Sequence, residues 1–202
     1  DIIQTWMYPA DLIGGLVGRM LSIPVIWGIF SGRTDPSIYK TKMHRLIRIC
    51  ARLSHFLPLR IISCSAFGRR SHIGIGYPAA KILFIPIGIP ARSIYSQSAQ
   101  TTATEDEGVI RIGMLSRFSL EKNHTTLILA CAQLQKEGLA VRLLLAGGSG
   151  IEKNNQRLCT AIAENQLEKT TVLLGRIPVI DDFFDQIDIF CLLSLSEGFP
   201  TV

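Results

Sequence analysis

A chain of 202 residues has room for one medium domain or two small ones, and a content of 48% hydrophobic and 18% charged residues excludes both a disordered chain and a fibrous one. Mean hydropathy is high at +0.31, but no apolar run approaches the roughly 18 residues of a membrane span, so the excess predicts strands buried in a parallel sheet covered on both faces. The net charge of +5 is uneven: residues 1–100 carry 12 Lys and Arg against 3 Asp and Glu, and residues 101–202 carry 9 against 13.

The chain opens on Asp1 and a strand over residues 1–5, without a signal-peptide pattern. A helix is predicted over 10–21, with Ile13, Leu16, Val17 and Met20 inward. A strand follows over 24–27. Residues 40–70 then hold Lys40, Lys42, Arg45, Arg48, Arg52, Arg60, Arg69 and Arg70 and no acid. Among them Met43, Leu46, Ile47, Cys50 and Leu53 recur at helical spacing, with Lys42, Arg45 and Arg52 turned away. Two readings of this basic amphipathic helix stay open. It is a core helix with a solvated basic face, or it meets an anionic membrane surface or an acidic substrate. A strand over 60–64, a short helix over 65–75 and a strand over 81–86 end this part.

Residues 96–108, SQSAQTTATEDEG, are polar and aperiodic and read as a linker between domains at 1–95 and 109–202. Beyond it the alternation is plainer. A strand over 109–115 leads to a helix over 124–135, with Leu127, Ile128, Cys131 and Leu134 on one face and Gly138 as its stop. Next come a strand over 141–146, a glycine loop over 147–150, a helix over 152–165 with Leu158, Ala161 and Ile162 inward, and a strand over 171–174. A short helix over 181–186 and an apolar strand over 187–193 complete the pattern. Such alternation means parallel sheets wrapped by helices. The expected class is α/β with two Rossmann-like sheets. Both are expected to be incomplete, because a whole protein of two such domains would need roughly twice this length. The five cysteines, Cys50, Cys64, Cys131, Cys159 and Cys191, have no metal-ligand spacing and an odd count, and read as the reduced, buried thiols of a cytosolic protein.

Ligands of open α/β sheets bind at the carboxyl ends of strands, and three segments place chemistry there. Arg117 and Lys122 leave the strand over 109–115 and enter the next helix, where two cations beside orphan N–H groups suit a diphosphate. Gly147, Gly148 and Gly150 would let a ligand approach the backbone, although neither a Walker loop nor a full dinucleotide fingerprint is present. Glu197, in Ser196-Glu197-Gly198-Phe199-Pro200, offers a carboxylate to sugar hydroxyls. Taken singly, these are solvated charges, a tight turn and a capping turn.

Together they resemble the retaining, nucleotide-sugar-dependent transferases of glycosyltransferase family 4 (glycosyl transferases group 1), with the two-domain GT-B fold. The resemblance rests on Ile112-Gly113-Met114-Leu115-Ser116-Arg117, Glu121-Lys122-Asn123-His124, Leu144-Leu145-Ala146-Gly147-Gly148-Ser149-Gly150, Val172-Leu173-Leu174-Gly175, Asp188-Ile189-Phe190 and Ser196-Glu197-Gly198-Phe199-Pro200. More loosely, it includes residues 4–11, 63–65, His72, Gly76-Tyr77 and 85–89 of the first part.

The resemblance implies the following roles. Arg117 and Lys122 would hold the donor diphosphate and stabilise the leaving group, without a metal or cofactor. Glu197 would bind the donor sugar, and the backbone of Gly198, Phe199, Pro200 and Thr201 its hydroxyls and phosphate. The backbone of Gly175, Arg176 and Ile177 would lie against the base, and Gly147 beside the donor. Gly14 and Gly15, at a helix start, would admit the donor from across a cleft. The donor would be UDP- or GDP-linked, and the acceptor a glycan or a lipid-linked glycan in surface polysaccharide or lipopolysaccharide synthesis. The setting would be cytoplasmic, with peripheral contact to an anionic membrane and no nucleic-acid partner. Pro9, Ile87 and Pro90 depart from the family pattern, and this piece of it is expected to be inactive by itself. A non-catalytic nucleotide-sugar-binding module and a nucleotide-sugar epimerase are the competing readings.

Overall fold

The computed structural model describes residues 1–34, 41–88, 108–148 and 150–202. Lys40, Pro90, Ser149 and the expected linker as far as residue 107 lie outside them. The chain divides into two compact units, Asp1–Ala91 with Ser196–Val202, and Arg92–Leu195.

In the first unit β1 (Ile3–Trp6), β2 (Val25–Ile29), β3 (Arg60–Ser63) and β4 (Ile82–Phe84) form a parallel sheet in chain order. The crossovers carry α1 (Tyr8–Met20), α2 (Thr41–Leu53) and α3 (Ala66–Gly74). Val25, Trp27, Ile29, Ile61 and Ile82 pack with Tyr8, Ile47 and Cys50 into one core. On α2 the expected stripe holds: Ile47 and Cys50 are buried, Met43, Leu46 and Leu53 pack against them, and Lys42, Arg45 and Arg52 are exposed.

Two expectations for this unit fail. The inward face of α1 is Tyr8, Asp11, Gly15 and Gly18, whereas Ile13, Leu16, Val17 and Met20 are exposed. Glycine decides the orientation: a Cβ at Gly18 would strike Val25, and one at Gly15 would lie 3.0 Å from the Trp27 ring. Only the small-residue face lets the helix come this close to the sheet. Among the described residues, the sheet is also not covered on both faces. Trp6, Ile26, Ile62 and Leu83 share the side opposite the core, and Trp6 and Leu83 are nearly half exposed there.

In the second unit β5 (Ile110–Leu115), β6 (Val141–Ala146), β7 (Thr171–Gly175) and β8 (Ile189–Phe190) are parallel in the order β7-β6-β5-β8. Here both faces are covered. Ile112, Met114, Leu143 and Leu145 pack under α4 (His124–Lys136) and α5 (Gln156–Glu164). Leu115, Leu144 and Ala146 meet Phe183 of α6 (Ile180–Phe184) on the other side.

The remaining differences are local. Helix α5 starts at Gln156 rather than 152, because the Asn155 side chain caps it by accepting from Leu158 N. The long strand expected over 187–193 shortens to two residues at the sheet edge. All five cysteines are free; Cys50, Cys64 and Cys131 are buried, while Cys159 and Cys191 are half-buried.

Candidate functional site

The order β7-β6-β5-β8 contains a reversal. The chain steps from β5 through β6 to β7, then returns to add β8 on the other side of β5. Loops leaving β5 and β8 therefore diverge, and a doubly wound sheet opens its ligand crevice at such a switch point. Arg117 and Lys122 follow β5 directly.

The loop that carries them is built closely. Leu120–Lys122 forms a 3-10 turn, and Asn123 adopts a left-handed φ of 57° to enter α4. No side chain caps α4; Thr126 N donates to Asn123 O, and the N–H groups ahead of it in the first turn face the place where an anion can bind. Arg117 is two-thirds exposed and 3.7 Å from Glu121, an exposed ion pair that a ligand phosphate can replace at little cost.

The loops after β6 and β7 are tied to it. Ser116 N donates to Ala146 O at 2.9 Å, and Gly147 N donates to Gly175 O at 2.8 Å. Gly147 has φ +145°, and a Cβ there would overlap the Ser116 carbonyl. At Gly150 a Cβ would lie 2.7 Å from Phe118 Cβ. These glycines are required first by the meeting of the two loops. Arg176 is exposed beyond β7, while Ile177 packs into the core beside Phe183. Arg117, Lys122, Gly147, Gly175, Arg176 and Ile177 thus lie on one end of one sheet.

The other expected residues lie in the first unit. Gly14 and Gly15 fall in the middle of α1, not at its start, and pack against Thr5 and Trp27. Helix–sheet contact accounts for them. Glu197, Gly198, Phe199, Pro200 and Thr201 belong to the segment Ser196–Val202. A Cβ on Gly198 would overlap the Phe30 carbonyl, and one on Gly32 the Glu197 carbonyl, so the segment lies backbone to backbone on the turn after β2.

Two features escaped the residue-by-residue reading of the sequence. His124, 2% exposed at the start of α4, places Nε2 3.2 Å from Ser116 Oγ. In the first unit Asp11 is buried on the inward face of α1 and accepts from Thr5 Oγ1 at 2.6 Å. Nearby, the Tyr8 hydroxyl meets His72 Nε2 at 2.9 Å, and His72 Nδ1 lies 2.7 Å from Gly68 O. Burial raises the Asp11 carboxyl to about 7 and lowers His72 to about 4. Neither cluster has a periodic sequence signal. Clefts of about 580 and 460 Å³ open at the amino-terminal ends of the two sheets, the first lined by Val25, Arg60 and Lys81 and the second by Val141 and Thr170. Neither adjoins Arg117 or Lys122.

A family profile described as "Glycosyl transferases group 1" matches residues 97–202. Over 95 residues the chain is 32% identical to "Putative glycosyltransferase EpsF" of Bacillus subtilis (strain 168), a match covering 45% of this chain and 23% of that protein. The Anabaena Alr3699/HepE structure in complex with UDP and glucose superposes with a TM-score of 0.78 at 20% identity, over 98% of this chain and 54% of that one. The apo form of the lipopolysaccharide outer core galactosyltransferase WaaB superposes with a TM-score of 0.66 at 14% identity, over 99% of this chain and 52% of that one. The chain thus spans about half the length of these structures, and the likeness shows the fold, that of Rossmann-like GT-B domains.

Proposed function

We propose, from the premise that the chain belongs to the glycosyl transferases group 1 family, that it serves a transferase moving a sugar from a nucleoside diphosphate to a glycan or lipid-linked acceptor. The observation that carries this reading is the set of three tied loops at the switch point of the second sheet, with Arg117 and Lys122 beside the uncapped start of α4. An orphaned helix terminus and two cations match a diphosphate in charge and in hydrogen-bond donors. The Gly175–Ile177 backbone lies against the base. In the reaction the bond from the anomeric carbon to the phosphate oxygen breaks, and its electron pair stays on that oxygen. The acceptor hydroxyl oxygen bonds the anomeric carbon, with retained configuration, and its proton passes to the departing diphosphate. Arg117 and Lys122 stabilise the departing diphosphate.

The nucleotide is UDP or GDP. Complexes of the Anabaena structure with UDP and with UDP-glucose support the first of these. The acceptor belongs to surface polysaccharide or lipopolysaccharide assembly at the inner face of a membrane. Support comes from the exposed Lys42, Arg45, Arg48 and Arg52 of α2, beside an exposed Phe56. Among the described residues no helix is long and apolar enough to cross a membrane. Liposomes with anionic lipid should retain the protein, and zwitterionic ones should not; equal retention would end the membrane reading.

The donor site is tested by thermal melts with UDP, GDP and ADP, beside an Arg117→Ala, Lys122→Ala double variant. A ligand at about 100 times its Kd adds roughly 2.7 kcal/mol, on the order of 5–10 °C for a chain of this size. A rise with UDP or GDP that vanishes in the double variant is expected. A rise that survives both substitutions would place the nucleotide elsewhere.

A further inference from the structure

The loop holding Arg117 and Lys122 rests on a side chain that the donor-site reading does not use. His124 opens α4 and is 2% exposed. Its Nε2 lies 3.2 Å from the hydroxyl of Ser116, the residue immediately before Arg117. Its ring stands 5.3 Å from that of Phe118, the residue immediately after Arg117, at a tilt of 52°. Its Nδ1 is buried with no hydrogen-bond partner. Burial, and then the charge of Lys122, lower this imidazole to about 4, so it is neutral at physiological pH. A neutral ring here adds no charge to an anion site. What it supplies is a fixed hydrogen bond and a flat surface, at the cost of a buried polar atom without a partner.

We propose that His124 is a positioning residue, clamping Ser116 and Phe118 on either side of Arg117 and so setting the direction in which Arg117 and Lys122 reach the donor diphosphate. The proposal rests on the donor-site reading above. The physical need is plain. Arg117 is mostly exposed and its Glu121 partner is weak, so its own contacts do not hold it. The backbone at Arg117 must then be held from outside. Gly147 and Gly150 pack against Ser116 and Phe118 from the adjoining loop, and His124 packs against the same two residues from α4. The loop is therefore gripped on two sides, and its cations need little reorganisation on binding.

The test compares nucleoside diphosphate with monophosphate, because only the diphosphate uses the positioned cations fully. Calorimetry measures UDP, UMP, GDP and GMP binding to the wild-type chain and to the His124→Leu, His124→Gln and Ser116→Ala variants. The glutamine amide reaches about as far as Nε2. The leucine and alanine variants should each weaken diphosphate binding roughly tenfold, with monophosphate affinity within about twofold. The glutamine variant should recover most of the loss. A double variant carrying both His124→Leu and Ser116→Ala should lose less affinity than the two single losses combined, since both substitutions remove the bond between Ser116 and His124. A diphosphate preference that survives His124→Leu and Ser116→Ala unchanged overturns the positioning role and leaves the donor site standing. Equal loss for both nucleotides, or no recovery by glutamine, also overturns it, in favour of mere packing. A wild-type chain without any diphosphate preference overturns the donor-site reading and the positioning role together.

Discussion

The first core holds two groups that titrate against each other. Asp11 is buried between α1 and β1, faces Thr5 and the Gly28 N–H, and influences the neighbouring Cys50 and Tyr77. Burial outweighs its two hydrogen bonds and raises it from 3.8 to about 7. The folded chain then holds a proton that the unfolded chain releases, so this group's contribution falls as pH rises from about 4 to about 7. His72 behaves oppositely. Burial lowers it from 6.5 to about 4, and stability is lost as pH falls from about 6.5 to about 4. Between those values the two slopes offset. Asp11→Asn should raise stability at pH 8 by on the order of 1–3 kcal/mol and expose the His72 slope on the acid side. Urea denaturation at pH 4.5, 6 and 8 reads both effects; parallel curves for the two proteins would refute this account.

Element boundaries turn on single residues. Asn155 both caps α5 and donates its side-chain amide to Gly150 O at 2.5 Å, joining the glycine loop to the helix. Asn155→Ala should cost about 1 kcal/mol. Ser65 caps α3 by accepting from Gly68 N at 2.9 Å, and its alanine variant should cost about as much. Gly147 is a stricter case. Its φ of +145° and the Ser116 carbonyl leave no place for a Cβ. Gly147→Ala should destabilise the second unit by on the order of 1–3 kcal/mol and separate the two loops that frame Arg117. Loss of nucleotide binding at a temperature where the variant is still folded would show that effect.

Across the whole molecule, separate cores make separate reporters. Both tryptophans, Trp6 and Trp27, lie in the first unit, so their fluorescence follows that core alone. Circular dichroism sums the helices of both units, α1–α3 in the first and α4–α6 in the second. Ser65→Ala should move the fluorescence midpoint, and Asn155→Ala should move only the dichroism curve. A shift of the fluorescence midpoint in Asn155→Ala would mean that the units unfold as one.

The sequence by itself was enough for the α/β class, for nearly every strand and helix, and for the grouping of Arg117 and Lys122 after one strand. Local periodicity and turn residues encode those features, and burial of the second sheet on both faces reinforces them. Three things were decided only in the tertiary structure. The inward face of α1 is chosen by glycines that allow close approach, while its apolar residues point away from the core. The length of β8 is set by pairing across the chain: only Ile189 and Phe190 pair, with Ile112 and Gly113, although β5 runs on to Leu115. The clamp of His124 on Ser116 joins residues eight positions apart through a loop, and no repeat in the sequence marks that distance. Periodicity records which residues avoid water, but how closely two surfaces approach depends on the shapes that meet there.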